Sequence, residues 1–321
     1  MKKIISRSVA FVTIIIVAVI IFNKFDVIKK CFIENKAFFF LIVAVYIVGR
    51  LLDGIKLKIL VSYCGANIKL YECFGLSMIM PLYNLIFPNA GLITNAIYLK
   101  SKHNIKLRHF ASVSLLRFAT TIALCGIIGI IASTIFMIEE KEFVLLWPVV
   151  VYVTLLCASI CLFIVPLPRI NIFKRYRLFS KVSESISKFD EIKSDKRLIV
   201  SLVLIQIAIS LVFMSRYYIV LRALSFDASL IGMLAITPLT VLTNLINLIP
   251  ANLAIREAVV SGGLTLIGYT INDGLLVASV DRAVLLATVL VMGMWFFVKL
   301  KYSANLVVET NTVEETRVND Q

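Results

Sequence analysis

The residues of this chain best placed to do chemistry lie close together at 245–268, LINLIPANLAIREAVVSGGLTLIG. The stretch is apolar enough for a bilayer. Yet it holds Pro250, the adjacent Arg256 and Glu257, Asn247, Asn252 and the pair Gly262-Gly263, with Asn244 just before it. A charged side chain at membrane depth costs about 2.5–3.5 kcal/mol on insertion scales, so such groups are paired, buried in protein or turned to water. Pro250 removes a backbone donor and bends or breaks a helix. Carbonyls freed in this way are tolerated only within protein or against a watery cavity. A broken, charged segment at lipid depth is where a transporter builds its site. The alternative is a kinked spanning helix whose Arg-Glu pair sits at the interface.

Neighbouring residues on a helix do not face each other, so Arg256 and Glu257 need different partners. Asp281 is the natural one for Arg256, while Glu257 either meets Arg282 or carries a coupling proton. Half-helices starting after Pro88 and Pro250 would offer N–H groups and a partial positive charge to a phosphate. Arg117, Arg256 and Arg282 would add charge there, and Asn89, Asn95, Asn247 and Asn252 would hold neutral headgroup atoms. The competing reading makes Arg256, Glu257, Asp281 and Arg282 a buried network that ties the hairpin to the last helix and touches no substrate.

Other chemistries have little to run on. The six cysteines form no CxxC pair, and both histidines, His103 and His109, lie in one basic loop. Neither HExxH, a P-loop nor GxSxG is present. No metal and no cofactor is expected. Only Glu257 and Asp281 lie at depth, too few carboxylates for a lipid-modifying enzyme.

The elements that must position these residues are membrane helices. Of 321 residues, 60% are hydrophobic and 16% charged, and mean hydropathy is +0.96; soluble chains average about 25% charged. The net charge of +14 points to loops facing anionic lipid headgroups rather than to nucleic acid. Lys2, Lys3 and Arg7 before an apolar run at 8–22 mark an uncleaved first helix with a cytoplasmic N-terminus. A second helix is expected from about 37 to 52 or beyond, followed by an amphipathic surface extension with Lys56, Lys58 and Lys69 near headgroups. Residues 73–100, interrupted by Pro81 and Pro88, are too short on either side to span and read as a re-entrant hairpin. Long helices at 110–137 and 143–165 follow. The loop 166–197, with nine basic residues against four acids, is cytoplasmic, and its 178–189 portion has the spacing of a surface helix, with a plain solvated linker as the alternative. A helix at 198–221, a second hairpin broken at Pro238 and Pro250, and a last helix at 273–300 complete the membrane part. Trp295, Phe296, Phe297 and Lys299 read as an interfacial anchor.

The fold class expected is thus an all-α polytopic membrane protein, with about six spanning helices and two proline-broken re-entrant hairpins in an inverted repeat. Its parts are an N-terminal helix and outer loop (1–36), a first membrane repeat (37–165), the basic loop (166–197), a second repeat (198–301) and a polar cytoplasmic tail (302–321). Each repeat orders a helix with an arginine (Arg50; Arg216), a double proline segment, and a helix bearing an arginine about two turns in (Arg117; Arg282). The loop charges place the two hairpins on opposite faces, a recurring plan of secondary transporters.

On these residues the chain resembles the flippase-like domain family, the transmembrane region of lysylphosphatidylglycerol synthases and their stand-alone relatives. Pro250 followed by Ile255-Arg256-Glu257-Ala258, with Gly262-Gly263 and Gly268 downstream, fits the family's second half. Pro88, Gly91, Leu99-Lys100 and Arg117 fit its first half. Asn252, Leu253 and Ala254 stand in place of the turn glycines, Thr94 or Asn95 in place of a charged residue, and Leu116 in place of a glutamate. The resemblance implies a plasma-membrane domain that moves a phospholipid or lipid-linked saccharide, or holds it for a partner. Its partners would be the bilayer, anionic headgroups and envelope biosynthetic enzymes. The synthases add lysine with a separate soluble domain that this chain does not show, so that activity is not expected. A scaffold of an envelope biosynthesis complex and, further off, a membrane-embedded lipid-modifying enzyme are the alternatives.

Overall fold

A computed structural model describes residues 36–140, 146–164, 189–190, 192–227, 229–245, 252 and 254–300. The expected first helix, Asn247, Pro250, most of the basic loop and the tail lie outside them. Every regular element described is helical: α1 Lys36–Tyr63, α2 Leu70–Ile86, α3 Ala90–His103, α4 Leu107–Glu140, α5 Leu146–Ile164, α6 Lys196–Ala223, α7 Leu230–Thr243, α8 Ile255–Thr265 and α9 Ile271–Thr288. After α9 a π-helical turn, Val289–Gly293, carries the same rod on to Leu300. Five of these helices, α1, α4, α5, α6 and the rod from α9, are long and apolar enough to cross a membrane.

The centre of the molecule is the antiparallel pair α1 and α6. Lys56 meets Gln206, Gly49 approaches Val212, and Tyr46 lies under Arg216, so the numbering falls on one helix as it rises on the other. Hairpin α2–α3 follows the C-terminal end of α1, and hairpin α7–α8 follows the C-terminal end of α6. The antiparallel pairing therefore sends the two hairpins in from opposite ends. The core divides accordingly. One cluster gathers Leu60, Val61, Ile68, Leu76, Leu99 and Leu202 around the first hairpin, and the other gathers Ile42, Tyr217, Val220, Met233, Ile236 and Val260 around the second. Phe189 and Ile192 join the first cluster, so the end of the expected surface helix is core.

The first hairpin can close because Gly91 lets α3 touch α2. A Cβ at Gly91 would overlap the Met80 carbonyl oxygen and lie 2.6 Å from Met80 Cγ. Asn89, the residue before α3, is left-handed at φ 59°, a conformation asparagine tolerates. Asn84 Oδ1 accepts from the Gly91 N–H at 2.8 Å, tying the turn. Gly274 lets α9 approach α8 in the same way: a Cβ there would lie 2.6 Å from the Ser261 Cα.

Several expectations are corrected here. Pro81 and Pro238 do not break their segments: each lies inside its helix, five residues before the last. A proline mid-helix is tolerated where other groups take the carbonyls it loosens. Pro81 frees the Ser77 carbonyl, towards which Arg50 Nη1 reaches at 3.5 Å. Tyr152 Oη donates to the Ala235 carbonyl, in the turn before Pro238, at 2.6 Å. The first hairpin turns instead at Phe87–Asn89, around Pro88. The second helix runs on beyond 52, unbroken to Tyr63, and the expected surface extension is part of it: Lys56 is 1% exposed instead of lying among headgroups. Phe296 is buried against Gly75 and Phe74, while Trp295 stays exposed as an anchor should. Cys157 and Cys161, one helical turn apart on α5, both face outward.

Candidate functional site

Described residues of both hairpins reach one cavity of about 140 Å³, room for several water molecules. The first hairpin lines it with Pro81, Asn84, Asn89 and Leu92, and the second with Val241, Asn244, Asn252 and Arg256. Its walls are α1 (Arg50, Asp53, Lys56), α4 (Arg117, Phe118, Thr121), α6 (Gln206, Ile209, Phe213) and α9 (Arg282, Leu285). Arg117 stands 10 residues into α4 and Arg282 11 into α9. That is nearer three turns than two, because both helices begin earlier than the apolar pattern suggests. At 1.5 Å per residue each arginine is about 15 Å from its helix start, half the hydrocarbon thickness of about 30 Å.

Three carboxylates organise the cations. Asp53 lies 3.3 Å from Arg50 and 3.7 Å from Arg117. Asp281, 1% exposed, holds Arg216 at 2.6 Å and also Arg256. Glu257 lies 3.6 Å from Arg282. The adjacent pair on α8 thus diverges, Arg256 towards Asp281 and Tyr217, Glu257 towards Arg282. Arg216 rests on the faces of Phe213 and Tyr217 at 4.6 and 5.4 Å, which adds a cation–π contribution. Lys56 is held differently. Its ammonium donates to Thr121 Oγ1 at 3.0 Å and Gln206 Oε1 at 2.7 Å, both neutral.

The structure does not bring all the predicted site residues together. Arg117, Arg256, Arg282, Asn89 and Asn252 line the cavity; Glu257 and Asp281 stand behind it as partners of its arginines. Asn95 is buried at 4% away from the cavity, and its Oδ1 accepts no hydrogen bond among the described residues. Asn252 donates to the Thr243 carbonyl, bracing the second tip. The start of α3 offers less to a ligand than expected. The Ala90 N–H goes to the Phe87 carbonyl and the Gly91 N–H to Asn84. Sequence reasoning missed Lys56, Gln206 and Thr121 as one cluster, and gave Arg50, Asp53 and Arg216 no site role.

The sum is cationic. Arg50, Lys56, Arg117, Arg256 and Arg282 line the cavity against the single carboxylate of Asp53 among the described residues. Adding Arg216, Asp281 and Glu257 leaves six cations facing three acids. No group of three or more histidine, cysteine or acidic side chains able to hold a metal occurs among the described residues.

Neither the curated proteins nor the solved structures include a significant match to this chain. Residues 6–293, nearly the whole sequence, match the family described as lysylphosphatidylglycerol synthase TM region. This polytopic membrane protein, by its helices and by that match, belongs to the lysylphosphatidylglycerol synthase TM region family, whose setting is the lipid chemistry of the cell envelope.

Proposed function

We propose that this protein is a flippase-like carrier that binds the phosphate of a polar-headed lipid between its two hairpin tips and passes it across the plasma membrane. The observation behind the reading is the cavity's charge: five cations against one carboxylate, among helices long and apolar enough to cross a membrane. Uncompensated charge is costly there, with an effective penalty of several kcal/mol per ion, and a phosphate brings the missing negative charge with strong acceptor oxygens. A phospholipid and a lipid-linked saccharide share that group. The hairpins attach at opposite ends of the α1–α6 pair, so rocking one repeat against the other would open the cavity to either face in turn.

Orientation follows from the charge at the two ends. Lys100, Lys102, Lys106 and Arg108 cluster where the first hairpin returns, while Glu139, Glu140, Asp227 and Asp273 mark the opposite end. By the positive-inside rule the first hairpin, and with it the end of the α9 rod at Leu300, would face the cytoplasm.

The Asp281 network favours a second reading. It binds α8 to α6 and α9 from behind the cavity wall, as a scaffold without transport would require. Reconstitution separates the two. Vesicles holding the protein should exchange fluorescent phosphatidylglycerol between leaflets faster than empty vesicles. Glu257→Gln and Arg282→Ala should abolish that exchange in proteins that still fold. Unchanged exchange in both variants would leave the scaffold.

A further inference from the structure

Resting on the headgroup reading above, we infer that the cavity reads a hydrogen-bond donor, a hydroxyl or an ammonium N–H, carried beside the lipid's phosphate, and that Asn252 Oδ1 is the acceptor that reads it. Asn252 lines the cavity and is 5% exposed. Its amide has a fixed sense. The Thr243 carbonyl can only accept, so the Asn252 NH2 faces it and donates. Oδ1 therefore points elsewhere, buried and accepting no hydrogen bond among the described residues. Buried polar groups in folded proteins are nearly always paired, and an unmet one calls for a cause. Asn95 Oδ1 is unmet as well, but Asn95 does not line the cavity. Asn252 stands where a headgroup would lie.

The cavity's other polar groups suit the rest of the ligand. Arg50, Lys56, Arg117, Arg256 and Arg282 are donors and match phosphate oxygens. Among the neutral acceptors, Asn84 Oδ1 takes the Gly91 N–H, and Thr121 Oγ1 and Gln206 Oε1 take the Lys56 ammonium. Asp53 faces Arg50 and Arg117. A headgroup donor beside the phosphate finds its acceptor in Asn252. A headgroup without one leaves that buried oxygen unpaired, and a site built to bond a hydroxyl or amine rejects the analogue lacking it. The backbone suits asparagine to the task. Residue 252 is left-handed at φ 55°, a conformation that glycine and asparagine adopt readily, and of the two only asparagine brings a side-chain acceptor.

Leaflet exchange in reconstituted vesicles tests this with two pairs of fluorescent lipids: phosphatidylglycerol against phosphatidylpropanol, and phosphatidylethanolamine against phosphatidylcholine. Within each pair the phosphate and the net charge stay and the donors go. Wild-type protein should move the donor-bearing lipid of at least one pair about tenfold faster than its mate. A preference in the first pair identifies the donor as a hydroxyl, and one in the second as an ammonium. Asn252→Gly fits the backbone and deletes the acceptor, so it should bring the ratio close to unity. Asn252→Asp keeps an oxygen and should preserve the ratio. Loss of the brace to Thr243 alone would slow both lipids of a pair alike. Equal wild-type rates within both pairs would overturn the inference, as would a ratio unchanged in Asn252→Gly or lost in Asn252→Asp. Millimolar glycerol 3-phosphate should leave the phosphatidylglycerol rate intact; full inhibition would put a soluble phosphate in the lipid's place and overturn it too. Failure to move any of the four lipids would overturn the carrier reading itself.

Discussion

Asp281→Asn is the substitution whose consequences the geometry defines best. The side chain keeps its shape and loses its charge, leaving two guanidinium groups behind. Arg216 and Arg256 are 4% and 6% exposed at the side chain, so water cannot replace the carboxylate. Removing one partner of a buried ion pair costs about 3–5 kcal/mol. The lower end applies, because Arg256 still donates to Tyr217 Oη at 3.2 Å and Arg216 still rests on aromatic faces. At roughly 2–4 °C per kcal/mol, melting in detergent should fall by on the order of 10 °C. Arg256→Met should cost less when combined with Asp281→Asn than alone, with a coupling of about 0.5–3 kcal/mol. A thermal-shift series read by tryptophan fluorescence and monodispersity measures wild type, both single variants and the double variant. If Asp281→Asn melted within about 2 °C of wild type, the claim that this carboxylate holds α6, α8 and α9 together would fail.

Other outcomes follow from single contacts. Gly91→Ala should disrupt the first hairpin, since its Cβ meets the Met80 carbonyl, with an overpacking cost of about 1–3 kcal/mol. Gly262→Ala, with open space around it, should melt like wild type, and the pair of melting curves checks the contrast. Tyr152→Phe deletes the buried donor to the Ala235 carbonyl and should cost about 1 kcal/mol, seen as a small drop in melting temperature with exchange activity retained. In a cysteine-free background, an impermeant thiol reagent applied outside intact cells should label Asp273→Cys and spare Lys102→Cys. The reverse pattern would invert the orientation.

The plan of the molecule was largely visible in the residues, and its reasons are local. Arg256 and Glu257 are neighbours on a helix with 3.6 residues per turn, about 100° apart around it, so two partners were required whatever the fold. Asp281 and Arg282 supply them. Pro88 marked the first tip because both flanking apolar runs are too short to cross. Pro81 and Pro238 misled for the opposite reason. A proline's effect on a helix depends on which groups donate to the loosened carbonyls, and Arg50 and Tyr152 reach them from other helices.

Lys56 was the larger miss. A lysine among isoleucines and leucines after a spanning segment has the look of a snorkelling side chain. What turns it inward is the antiparallel docking of α1 on α6, 150 residues away, and no local pattern encodes that register. Arg216 was hidden in the same way, since its partner Asp281 lies 65 positions further on.

The most direct measurement is the identity and number of lipids that stay with the purified protein after exhaustive delipidation, read by native mass spectrometry. One tightly held phosphate-headed lipid per wild-type chain, lost when Arg117 and Arg282 are both changed to Gln without loss of folding, is what a cationic cavity between inverted hairpins predicts. A delipidated wild-type chain that retains none, or a double variant that retains as much, would contradict it.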